Sequence, residues 1–108
     1  MFKKIFKIFK KEDEYINKTV IENIKEYEIR NGVRWTGTVN NINVLILPSI
    51  KGMVAIKNSC PHRGLTLIYG QLAGDFIICP SHDLKISFND PDVFIGEVIK
   101  NGNNFYLK

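Results

Sequence analysis

From about Lys25 to the C-terminus the apolar residues fall in short runs cut by Asn, Asp, Gly and Pro, the pattern of strands joined by turns. Val33 to Val39, then Asn40-Asn41, then Ile42 to Leu47 predicts a hairpin, because Asn tolerates the positive φ that two-residue hairpin loops require. Pro48 to Gly52 supplies a further turn before Met53 to Lys57. Phe76-Ile77-Ile78 follows a Gly74-Asp75 turn, and Leu84 to Phe88 alternates apolar and polar with period 2, as a half-buried strand does. Asn89-Asp90-Pro91-Asp92 breaks that run, and Asn101-Gly102 separates Val93–Lys100 from Asn104–Leu107. About seven short strands with no sustained helical period predict an all-β, antiparallel sandwich or small barrel.

The first part of the chain reads differently. Phe2, Ile5, Phe6 and Phe9 fall within about 100° of arc at helical spacing. Lys3, Lys4, Lys7, Lys10 and Lys11 occupy the other side. Residues 1–11 are thus expected to form a short basic amphipathic helix or tail, suited to an anionic membrane surface or a partner protein, or packed on its own domain. Glu12 to Glu28 is ambiguous, because Ile16, Val20, Ile21 and Ile24 suit a helix whereas Thr19-Val20-Ile21 is β-branched. The division expected is residues 1–24 as tail and connector and residues 25–108 as the β-domain.

Charge adds little beyond that tail. The net charge of +4 is carried by residues 1–11, and the remainder has ten basic and eleven acidic side chains. A near-neutral body has no basic stripe for nucleic acid. No apolar run approaches the ~20 residues of a membrane span, and the lysines lead into no uninterrupted apolar core of a secretory signal. A cytoplasmic protein, with the tail as a candidate peripheral anchor, is the expectation.

The chemistry concentrates in four residues. The two cysteines and two histidines of the chain form Cys60-Pro61-His62 and, after sixteen intervening residues, Cys79-Pro80-Ser81-His82. Each turn offers one thiolate and one imidazole. Such a Cys₂His₂ set suits either a tetrahedral zinc ion or a two-iron cluster with one iron held by sulfur and the other by nitrogen. Structural zinc sites commonly pair cysteines as C-x₂₋₄-C, and the C-x-H pairing departs from that habit.

The pair Cys60-Pro61-His62-Arg63-Gly64 and Cys79-Pro80-Ser81-His82 resembles the Rieske [2Fe-2S] signature. The resemblance covers roughly residues 33–108 and includes Leu67, Gly70, Leu72, Gly74 and Ile77-Ile78 of the spacer. It implies a Rieske-like β-sandwich with a small two-loop cluster subdomain. It further implies one [2Fe-2S] cluster, with Cys60 and Cys79 on one iron and His62 and His82 on the other through Nδ1. The function implied is that of a Rieske ferredoxin, a one-electron carrier passing electrons from a reductase to a terminal oxygenase or similar acceptor. The alternative is a non-catalytic Rieske-like subunit or a zinc-stabilised interaction module in a larger complex. An enzyme in its own right is not expected, because no histidine remains for the mononuclear iron of an oxygenase.

Departures from the family pattern refine the subtype. High-potential members carry a disulfide where Leu65 and Ser81 stand here, and Ser and Tyr hydroxyls where Leu84 and Ile86 stand. Fewer hydrogen bonds to sulfur leave the reduced centre less stabilised, which places the potential toward the low end of the ~−150 to +300 mV Rieske range. Asp83 replaces a Gly that ordinarily follows the second His, and Asp tolerates the positive φ that such a Gly implies. Its carboxylate also disfavours reduction. Arg63, Asp83 and Lys85 lie along the rim expected to meet redox partners, with mixed signs. Two thiolates and two neutral imidazoles leave an oxidised two-iron cluster neutral, whereas four thiolates leave it a dianion. Imidazole N–H groups off the metal can still ionise, which favours the oxidised form. The potential measured by voltammetry should therefore fall as pH rises through the pKa of these histidines, and a flat trace from pH ~6 to ~10 would refute that pH dependence.

Overall fold

A computed structural model describes residues 18–30, 32–50, 52–61, 64–81 and 83–108. The expected helix over residues 1–11 lies outside the described residues. Nine strands run in chain order: β1 Thr19–Ile29, β2 Gly32–Val39, β3 Ile42–Ser49, β4 Gly52–Lys57, β5 Gln71–Ala73, β6 Phe76–Ile78, β7 Lys85–Ser87, β8 Phe94–Asn101 and β9 Asn104–Leu107. All pairings are antiparallel. The predicted all-β architecture takes the form of a closed barrel in the order β1-β2-β3-β4-β8-β9, beside a three-stranded sheet β5-β6-β7.

Local turn chemistry sets much of the register. Asn40 and Asn41 both adopt positive φ, 49° and 65°, so the β2–β3 hairpin closes as its sequence predicts and pairs Val39 with Ile42. The last hairpin differs by one residue from the expected turn. Asn101 pairs with Asn104, so the loop is Gly102-Asn103, with Gly102 at the first central position.

The ambiguous stretch before Lys25 is strand. Thr19 to Ile21 pair with β9, whereas Glu22 onward pairs with β2, and a register shift between Glu22 and Lys25 separates the two ladders. Asn23 sits in that shift at a φ of 56°. A bulge bends a strand and increases its twist, and here it lets β1 serve both neighbours and close the barrel. The connector expected over residues 1–24 therefore gives way to barrel strand at Thr19. The bulge hides the strand's alternation, because it shifts the apolar positions out of period.

Two buried clusters lie on opposite sides of β3 and β4. Ile21, Val39, Val44, Ile46, Ala55, Val98 and Phe105 come from all six barrel strands and fill the barrel interior. Leu45, Leu47, Val54 and Ile56 alternate with them and face the other way, into a cluster shared with the small sheet. Successive strand residues point to opposite faces, so Val44-Leu45-Ile46-Leu47 has no solvent side at all. This is why that run reads as continuously apolar.

Residues 58–93 form an excursion between β4 and β8, which are themselves paired in the barrel. Lys57 N–H donates to the Val93 carbonyl (2.9 Å) where the excursion begins and ends. Gly70 is held close to β6 within it. A Cβ at that position would lie 2.7 Å from Ile77 Cγ1 and 2.8 Å from the Ile78 carbonyl oxygen. The backbone oxygen belongs to a paired strand and has little room to yield. Gly70→Ala should destabilise the fold by ~1–3 kcal/mol, read as a lower denaturant midpoint with unchanged slope.

Candidate metal centre

The chain forms the same turn twice. Loop 1 is Cys60-Pro61-His62-Arg63-Gly64-Leu65, leaving β4 by way of Asn58-Ser59; loop 2 is Cys79-Pro80-Ser81-His82-Asp83-Leu84, joining β6 to β7. In loop 1, Cys60 N–H donates to the Leu65 carbonyl (2.8 Å) and the Cys60 carbonyl accepts from Gly64 N–H (2.7 Å). Loop 2 repeats both bonds, from Cys79 N–H to the Leu84 carbonyl (2.9 Å) and from Asp83 N–H to the Cys79 carbonyl (3.1 Å). The fifth loop residue must then take positive φ, which Gly64 does at 73° and Asp83 at 53°. The positive φ expected at Asp83 is present: the aspartate occupies the conformation for which its loop partner uses glycine.

Each loop buries its cysteine and exposes its far end. Cys60 is 1% and Cys79 0% exposed, both in the apolar cluster that includes Leu67, Ile77 and Ile86. The two do not form a disulfide with one another. Leu65 and Leu84, at matching positions, are 42% and 40% exposed. His62, Arg63 and His82 lie outside the described residues. Because the loops match residue for residue, the two histidines hold different positions, third in loop 1 and fourth in loop 2.

The loops are supported in different ways. Loop 2 is flanked by the β6–β7 ladder, with Ile78 paired to Lys85. Loop 1 has no such ladder, and Asn58 ties its two ends together. Asn58 Oδ1 accepts from Leu67 N–H (2.9 Å) and Thr66 Oγ1 (2.9 Å). Asn58 N–H donates to the Asn43 carbonyl at the start of β3 (3.0 Å). The sequence carries no signal for this role of Asn58, since an Asn before a turn is ordinary.

Arg34 was missed altogether. It lies on β2 with its side chain 4% exposed, and its Nη1 donates to the carbonyls of Ile68 and Gly70, each at 2.6 Å. Desolvation by burial pushes its pKa below the ordinary arginine value; guanidinium nonetheless stays protonated in proteins. A lone basic residue in a strand otherwise reads as a solvent-facing position, so no signal marked it.

The described residues thus supply two sulfur donors in an apolar setting, on loops with matching backbone hydrogen bonds that each carry one histidine in sequence. Soft thiolate with imidazole is the donor chemistry of a mixed-ligand iron–sulfur centre. Comparison with known families agrees with that fit: the Rieske [2Fe-2S] domain model matches residues 18–96. The chain belongs to the Rieske [2Fe-2S] domain family. Its cofactor is a [2Fe-2S] cluster and its role is electron transfer. Neither the comparison with curated proteins nor that with solved structures gives a match.

The shared φ of the loops yields a stability prediction. Asp83→Gly removes the steric cost of a side chain at positive φ and should stabilise the fold by up to ~1 kcal/mol, whereas Asp83→Val should cost ~1–2 kcal/mol. Thermal unfolding of the two variants, ranked against the parent chain, checks both signs.

Proposed function

We propose that this chain is a one-electron carrier in which Cys60 and Cys79 hold one iron of the cluster and His62 and His82 the other. It would take electrons from a reductase and deliver them to a terminal oxygenase or a similar acceptor. The observation that carries the reading is the repeated loop: two cysteines buried by identical backbone hydrogen bonds, each beside a histidine in a turn whose far end is exposed. When bound, the cluster accepts and returns a single electron.

The chain's own residues do the rest. Leu67, Ile77 and Ile86 keep water from the cysteine side of the centre, which limits the reorganisation that accompanies electron transfer. Leu65 and Leu84, half-exposed at the loop ends, give a partner an apolar surface to approach. Neither Leu84 nor Ile86 has a hydroxyl to offer a cluster sulfur, which supports a potential toward the low end of the Rieske range. All of the chain's histidines are used in this assignment, so substrate oxidation falls to the acceptor.

Iron and acid-labile sulfide analysis of anaerobically purified protein tests the assignment. About two iron and two sulfide per chain, with a visible spectrum bleached by dithionite, are expected. Cys60→Ser and His82→Ala should each abolish the spectrum. One zinc per chain with no colour would overturn the reading in favour of a zinc-stabilised module.

A further inference from the structure

We infer that Arg34 is a potential-determining residue, a buried positive charge that holds the segment between the two cysteine loops and favours the reduced centre. The inference rests on the cluster assignment proposed above.

The segment is tied at both ends to the cysteines. Leu67 N–H is held by Asn58, two residues before Cys60, and Gly70 is pressed on Ile77 and Ile78, immediately before Cys79. Between these points the chain turns, with Gly70 N–H on the Leu67 carbonyl (2.9 Å). That turn aims the Ile68 and Gly70 carbonyls at β2, and both are satisfied by the one Arg34 nitrogen. Arg34 is thus the polar link between the barrel wall and the cluster subdomain at this point. Its charge and its hydrogen bonds act on the same short segment.

Among the described residues the charge has no carboxylate counterweight; the ion pair among them is Lys108 with Glu97. Arg34 Nε is buried without a hydrogen-bond partner. Among the described residues the guanidinium is met by carbonyl dipoles and by no carboxylate, at a buried position where charges interact more strongly than in water. Reduction adds one negative charge to the cluster, and a fixed cation nearby stabilises that state more than the oxidised one. Arg34 accordingly raises the potential, opposing the lowering by Asp83.

A purely structural tie predicts a different result from a charge effect, and two substitutions separate them. Arg34→Gln keeps a donor for one carbonyl and removes the charge; Arg34→Lys keeps the charge and loses the planar fork. With iron and sulfide content at the wild-type level, Arg34→Gln should lower the reduction equilibrium constant threefold or more, about 28 mV at 59 mV per tenfold for one electron. Arg34→Lys should stay within threefold of wild type while melting at a lower temperature. An unchanged potential in cluster-loaded Arg34→Gln, or a fall in Arg34→Lys as large as in Arg34→Gln, overturns the inference. Should Arg34→Gln fail to retain its iron, Arg34→Lys decides: a potential within threefold of wild type supports the charge effect and a larger fall overturns it. Wild-type protein without iron and sulfide would instead defeat the cluster assignment itself.

Discussion

The structure depends on β3 and β4 being buried on both faces. Val44, Ile46 and Ala55 fill the barrel, while Leu45, Leu47, Val54 and Ile56 carry the cluster subdomain on the other side. Full burial of a Leu or Ile side chain contributes ~1.5–3 kcal/mol, so neither face can be left to solvent cheaply. The barrel therefore needs the subdomain to cover its outer wall, and the subdomain needs the wall to complete its core. Cys60 and Cys79 belong to that second core, so the proposed ligand sulfurs sit in the interface that stabilises the fold.

Much of this was legible in the sequence where local chemistry decides. Asn40-Asn41 specified its hairpin through φ, and the apolar run of β3 reflects a strand without a solvent face. The cysteine and histidine spacing carried the resemblance to the family, whereas the donor set by itself suits zinc as well as a two-iron cluster. Other features escaped for identifiable reasons. The β1 bulge at Asn23 breaks the alternation that reveals a strand, and β5 is three residues long with one half-buried side chain, Leu72. Arg34 and Asn58 are set by partners far along the chain or across a loop, and nothing adjacent in sequence distinguishes them.

The matching loops clarify what the fold asks of each position. Backbone bonds from the cysteine to residues four and five places on require an αL conformation, which Gly64 and Asp83 both supply. In sequence the histidine stands third in one loop and fourth in the other. The scaffold is a two-fold repeated turn, and the ligand set drawn upon it need not be symmetric.

The excursion that carries the centre leaves and rejoins the barrel at paired strands, with Ile56 opposite Phe94 and Lys57 bonded to Val93. Its ends are therefore brought together by the barrel ladder itself. Closing a long loop costs entropy that grows only logarithmically with its length, and here the ladder that joins the two ends of the excursion offsets that cost. The cofactor-bearing part can accordingly be read as an insert whose entry point is prefabricated.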